Sequence, residues 1–70
     1  MTYREAARKL TALGCQEIPR RGGGFHRKWT NPATNRSTVI PDNGGRDLKL
    51  GTLRAAVRQL GLDWVAFQQA

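Results

Sequence analysis

The sequence predicts an α+β fold in which the elements follow the order α-β-β-β-α, with one more short helix at the end. Two segments with apolar residues at helical spacing enclose a middle part of alternating and β-branched residues. Short, turn-rich connections separate the middle segments, which favours a three-stranded antiparallel sheet with both helices on one face. A chain of 70 residues forms one domain, here residues 1–70, and leaves no room for a separate cofactor-binding domain.

The two longer helices are marked by caps and by apolar stripes. Thr2 and Glu5 match a capping box, in which each side chain accepts a hydrogen bond from the other residue's backbone N–H. Gly14 suits the end of a helix, so the first helix is expected over residues 3–13. The second helix is expected to begin at about Thr52. Its apolar stripe consists of Leu53, Ala56, Val57 and Leu60.

Three short segments are expected to form the sheet. Residues 15–20 make an edge strand or a strand end, because Pro19 has no N–H to donate to a ladder. Residues 25–30 alternate in polarity, and residues 36–40 contain the clearest β-branched run of the chain. The connection between them, residues 31–35, has the composition of a tight turn, so these two strands form a hairpin.

The last helix and the single cysteine are also assigned to the core. A last helix over residues 64–69 is expected to pack on the body of the domain through Trp64, Val65 and Phe67. Cys15 is the only cysteine, so it has no partner for an internal disulfide. We expect it to be a small buried apolar filler.

The alternation of the second strand predicts which side chains face the core. Phe25, Arg27 and Trp29 share one face, and the two aromatic residues are expected to be buried there. His26 and Lys28 then lie on the opposite face, which is open to solvent. The sequence therefore places its only histidine on the open side of the sheet.

The net charge of the chain indicates what kind of partner it binds. Twelve Lys and Arg residues against five Asp and Glu residues give a formal net charge of +7. This balance favours a polyanion, either a nucleic acid or an acidic protein. We expect no membrane association and a cytoplasmic location, because no apolar run is long enough to span a bilayer and the N-terminus lacks a signal-peptide pattern. The scattered carboxylates predict no metal site, and no cofactor is expected.

The strongest catalytic candidate is His26. It follows three glycines at positions 22–24 and is surrounded by cations. The ordinary pKa of histidine is about 6.5, which suits proton transfer at neutral pH. RNA cleavage through the 2′-hydroxyl requires one proton to be removed and another to be donated, and a histidine can do either. An inert, exposed strand histidine is the simpler alternative.

Six residues near His26 in sequence, or in the loop before the second helix, are candidates for binding RNA phosphates. The glycines allow a close approach of phosphate to backbone N–H groups, although a flexible turn would contain them equally well. The cations would stabilise the charge of the transition state. The candidates are Arg21, Gly23, Gly24, Arg27, Lys28 and Lys49.

Several segments in a fixed order carry a resemblance to a known family. They are Leu13-Gly14, the glycine-rich loop with His26, Thr38-Val39-Ile40-Pro41, Leu48-Lys49-Leu50-Gly51-Thr52-Leu53 and Val57-Arg58-Gln59-Leu60-Gly61-Leu62. In this order the sequence resembles the HicA-type (YcfA-like) toxins of bacterial toxin–antitoxin pairs. The predicted element order is also the layout of the double-stranded-RNA-binding domain.

The resemblance implies a function and a site. It implies a ribonuclease toxin of the double-stranded-RNA-binding-domain fold that degrades mRNA and is neutralised by a HicB-type antitoxin. The family's catalytic histidine, in a glycine-serine-histidine motif, falls on His26. Phe25 stands where the family usually has serine, so any positioning of phosphate by that hydroxyl is absent here.

Two other classes of function remain open from the sequence. A non-catalytic RNA-binding module, or a decayed toxin, would have the same charge and fold. A module that binds an acidic protein would also be basic and small. RNA cleavage that depends on His26 separates the toxin from both.

Overall fold

The structure is a computed structural model and describes residues 1–19 and 24–70. It confirms the predicted α+β order, with one antiparallel sheet and its strands in the order β1-β2-β3. None of the helices in these residues is long and apolar enough to cross a membrane. The elements are α1 (Tyr3–Ala12), β1 (Gln16–Ile18), β2 (His26–Asn31), β3 (Arg36–Pro41), α2 (Leu50–Gln59) and α3 (Trp64–Gln69).

The first helix begins at the predicted capping box. Thr2 Oγ1 accepts from the backbone N–H of Glu5 at 3.2 Å, and Glu5 Oε1 accepts from the backbone N–H of Thr2 at 3.3 Å. The bond from the Thr2 backbone lowers the pKa of the Glu5 carboxyl. The chain leaves α1 at Gly14, whose φ of +90° lies in the region that favours glycine.

The strand register separates the sheet into two faces. Trp29 lies opposite Glu17 of β1 and Thr38 of β3. Because successive side chains of a strand alternate, Arg27, Trp29 and Asn31 share the face on which the helices pack. This face is called the covered face. The other face, called the open face, carries His26, Lys28 and Thr30 of β2 together with Ile18, Val39 and their strand neighbours.

The core lies between the covered face and the helices. Trp29 and Cys15 are each 3% exposed, which confirms their predicted burial. Asn31 is also buried there, and its Nδ2 donates to the carbonyl of Leu60 at 2.8 Å, joining the end of β2 to the end of α2. The most deeply buried large side chains are Phe67, Leu10, Ile40, Leu60 and Val57.

Two core assignments are wrong. Phe25 is 68% exposed, because it precedes β2 and the neighbouring position on the covered face is filled by the guanidinium of Arg27 and its carboxylate partners. Val65 is 54% exposed, because α3 is one short helix that buries its other side through Phe67.

Two helix boundaries also differ from the prediction, and the first helix ends one residue early, at Ala12. The second helix begins at Leu50, two positions before Thr52. Its N-cap, Lys49, is extended and makes no side-chain cap, so no capping residue marks this start in the sequence. The start is held instead by the preceding residue, Leu48, whose backbone N–H donates to the carbonyl of Met1 at 2.8 Å.

Candidate active site

His26 is the first residue of β2 and lies on the open face. Its ladder partner is Pro41, the last residue of β3, and its side chain is exposed. Beyond this pair the ladder continues for one more step, because the backbone N–H of Asp42 donates to the carbonyl of Phe25. The histidine is therefore attached to regular, hydrogen-bonded backbone while its imidazole remains accessible to a large substrate.

Lys28 lies beside His26 on the open face. Residues two positions apart along a strand have their side chains on the same side of the sheet. Lys28 is exposed and lies between Ile18 of β1 and Val39 of β3 in the register. The structure therefore brings Lys28 and His26 together and surrounds the lysine with exposed apolar side chains.

Arg27 lies on the opposite face from His26 and is paired with two carboxylates. Its Nη1 is 3.6 Å from Glu17 Oε2, and its Nη2 is 3.4 Å from Asp42 Oδ2. The guanidinium thus joins β1, β2 and the segment after β3. The structure does not bring Arg27 to the face that carries His26.

A chain of hydrogen bonds and ion pairs supports this arrangement. Trp29 Nε1 donates to Tyr3 Oη at 3.1 Å, and the Tyr3 hydroxyl donates to the carboxylate of Glu17. Burial, followed by the bond to Glu17, raises the pKa of Tyr3 to about 12. The Trp29–Tyr3–Glu17–Arg27–Asp42 chain, called the polar chain, fixes the strands that carry the site.

Lys49 lines a surface cavity next to the end of β3. The cavity has a volume of about 420 Å³ and is lined by Pro41, Asn43, Arg46, Asp47, Leu48, Lys49 and Thr52. Pro41 is the ladder partner of His26, so the cavity and the histidine adjoin the same end of the hairpin. Lys49 thus lies at the same end of the molecule as His26.

Arg46 lines the same cavity and was not among the candidates from the sequence. Its position three residues before Lys49 in one loop was the available signal. The carboxylate of Asp47, also in the lining, is 3.2 Å from the N-terminal amine. Asp47 therefore has a cationic partner other than Arg46 or Lys49.

The glycine-rich loop is described only at its last residue. Gly24 is exposed and has a φ of +138°, a conformation that L side chains rarely adopt. Arg21 and Gly23, two of the phosphate-binding candidates, lie outside the described residues. The positive φ of Gly24 shows why a glycine is needed where the chain enters β2.

Other reactive groups contribute little to this surface. Cys15 is a free, buried thiol whose pKa is raised by burial, so it is not an exposed nucleophile. Within residues 1–19 and 24–70, no three His, Cys, Asp or Glu side chains come together in a group that could hold a metal ion.

Comparison with known proteins identifies the family. No curated protein and no solved structure matches the chain. Residues 3–62 match the family described as HicA toxin of bacterial toxin-antitoxin. The matched region runs from the start of α1 to the residues just after α2, so it contains every strand and His26. The chain belongs to the HicA toxin family of bacterial toxin–antitoxin systems.

Proposed function

We propose that this toxin is a metal-independent endoribonuclease that degrades mRNA in the cytoplasm, with His26 as its catalytic acid or base. One observation carries the proposal: the only histidine of a toxin-family chain with a net charge of +7 is exposed on the open face beside Lys28. The match ends at residue 62, but Phe67 of α3 is fully buried. We therefore treat residues 1–70 as one toxin domain.

The chemistry is attack of a ribose 2′-hydroxyl on the adjacent phosphorus. The new 2′ O–P bond forms as the P–O5′ bond breaks, leaving a 2′,3′-cyclic phosphate and a free 5′-hydroxyl. His26 either removes the proton of the 2′-hydroxyl or, when protonated, donates a proton to the leaving 5′ oxygen. Its place at the end of a hydrogen-bonded ladder fixes the backbone from which the imidazole makes either transfer.

Cations at the same end of the hairpin bind the phosphates in this proposal. Lys28 lies on the histidine's own face, and Lys49 lines the adjoining cavity. Gly23 and Gly24 would let the scissile phosphate approach backbone N–H groups, and Arg21 would bind the phosphate through its positive charge. We assign Arg27 a positioning role instead, because its guanidinium is paired with Glu17 and Asp42 on the covered face.

The antitoxin is proposed to cover the open face. Ile18 and Val39 are exposed on either side of Lys28, so the face offers apolar contacts around a positive charge. A HicB-type antitoxin with acidic and apolar residues would match this surface and exclude RNA from His26. A complex in which His26 remains accessible to RNA would contradict this mode of neutralisation.

The test compares RNA cleavage by the wild-type protein and by His26→Ala in the presence of EDTA. We expect cleavage to fall by about 10²–10⁴-fold, the usual contribution of a general acid or base. The fold should be unchanged, because the imidazole is exposed. Circular dichroism and continued protection of the buried Cys15 thiol check this. Arg58→Ala, which removes an exposed cation from α2, is the matched control and should retain cleavage.

The products and the binding data separate the alternatives. A 2′,3′-cyclic phosphate supports the proposed reaction, whereas 5′-phosphate ends or a strict requirement for Mg²⁺ contradicts it. Salt-sensitive RNA binding without cleavage by either protein would favour a non-catalytic RNA-binding module. The replacement of the family's serine by Phe25 is the observation that keeps this second function under test.

A further inference from the structure

Phe25 is an aromatic side chain exposed to water next to the proposed catalytic histidine. At 68%, its exposure exceeds that of the other exposed large hydrophobic side chains described, which are Ile18, Val39, Leu50 and Val65. An isolated exposed aliphatic residue needs no explanation. Phe25 directly precedes His26 and presents a flat apolar surface at the same end of β2, on the side of the sheet that carries Arg27.

The backbone of Phe25 is held in place although its side chain is exposed. Its carbonyl accepts a hydrogen bond from the backbone N–H of Asp42, one step beyond the pair of His26 and Pro41. Side chains alternate along a strand, so the ring lies on the other side of the strand end from His26, where RNA that passes around the end of β2 can reach it. The ring is therefore attached to fixed backbone, which lowers the entropy lost when it binds a ligand.

The charges around Phe25 favour a nucleic acid as the group that covers the ring. Lys28 is exposed on the same strand, and Arg46 and Lys49 line the cavity beside the ladder partner of His26. A polyanion with flat faces matches an exposed ring at an end of the hairpin that also carries cations. Stacking of a base on an aromatic side chain contributes about 1–3 kcal/mol by alanine substitution, whatever the base.

We propose that Phe25 stacks on an unpaired base next to the scissile phosphate, so that the substrate is a single-stranded segment of RNA. Bases within a duplex are already stacked on one another and cannot offer a free face. This inference rests on the proposed function, because it assigns the substrate of the site that contains His26. It gives Phe25 a role different from that of the serine usual at this position.

The first test measures binding of a fluorescently labelled single-stranded oligoribonucleotide in the His26→Ala background, where the RNA stays intact. Adding Phe25→Ala should raise Kd by about 5- to 150-fold. Phe25→Leu, which keeps an apolar side chain without a ring, should raise Kd similarly, and Phe25→Trp should keep it near the starting value. Val65→Ala, at an exposed apolar residue of α3, is the matched control and should change nothing.

The second test asks whether the lost interaction is with a base. An oligoribonucleotide with one abasic site next to the cleavage position should bind the phenylalanine protein more weakly. The same abasic site should hardly weaken binding to the Phe25→Ala protein, because that protein already lacks the ring on which the base would stack. A fully paired duplex of the same sequence should be cleaved poorly by the protein with native His26.

The outcomes for this inference and for the proposed function are distinguishable. Cleavage of single strands with the same KM in wild type and Phe25→Ala would overturn the stacking role and leave the nuclease intact. Binding that depends on Phe25, without cleavage by the wild-type protein, would support stacking and overturn the nuclease. An unchanged Kd in the Phe25→Ala protein would also overturn the inference and would favour a protein as the partner that contacts the ring.

Discussion

The covered face and the open face of the sheet are built from the same strands but carry different kinds of residue. On the covered face, Trp29 and Ile40 are almost completely buried beneath the helices. On the open face, His26 and Lys28 are exposed, and Val39 is 50% exposed. Because side chains alternate, a residue that stabilises the fold is followed directly by one that is free to contact a partner. Substitutions one position apart should therefore have different consequences.

The largest effect on folding is expected from Trp29→Ala. Truncating a buried tryptophan costs about 3–5 kcal/mol, which is a large part of the stability of a small domain. The prediction is checked by urea denaturation followed by circular dichroism. The matched change on the open face, Val39→Ala, should alter the free energy of unfolding by no more than about 0.5 kcal/mol. Equal costs at the two positions would show that the faces are wrongly assigned.

A smaller effect is expected from the polar chain that joins the covered face to α1. Tyr3→Phe removes the acceptor of Trp29 Nε1 and the donor to Glu17. The loss of a partner for a buried polar group costs about 1–3 kcal/mol, measured by the same denaturation. A variant as stable as the wild type would show that the hydroxyl of Tyr3 contributes nothing to the fold.

The same tyrosine predicts a dependence of stability on alkaline pH. The pKa of Tyr3 is raised to about 12 in the folded protein from an ordinary value of 10.0. The unfolded chain therefore loses this proton first, and stability falls as pH rises from 10.0 towards 12. Tyr3 is the only tyrosine, so the ultraviolet absorbance of tyrosinate titrates it directly. Tyr3→Phe should remove this part of the fall, and a folded-state titration at the ordinary value would contradict the burial of its hydroxyl.

The smallest effect is expected in the salt dependence of RNA binding. It should differ between two neighbouring cations, Lys28 and Arg27. Each phosphate contact with a single strand contributes about 0.7 to the slope of log K against log salt. Lys28→Met on the open face should reduce the slope by about this amount. Arg27→Met should leave it unchanged, because Arg27 is paired with Glu17 and Asp42 on the covered face. A reduced slope in Arg27→Met would show that Arg27 contacts a phosphate after all.

Much of the fold could be predicted because local rules apply to it. The capping box at Thr2, the helix end at Gly14 and the alternation that buries Trp29 and exposes His26 each depend on residues close together in the chain. The order of the elements follows from the same local signals. The family resemblance, carried by segments along nearly the whole chain, is confirmed by the match over residues 3–62.

The features that could not be predicted depend on contacts between residues far apart in sequence. Only the register of β1, β2 and β3 places Glu17 and Asp42 on either side of Arg27, and neither carboxylate is near Arg27 in the chain. The exposure of Phe25 has the same origin, because alternation assigns a side chain to a face but cannot tell where the helices cease to cover it. Periodicity is a property of neighbouring residues, whereas burial and charge pairing depend on which elements pack together, so only the tertiary structure could decide them.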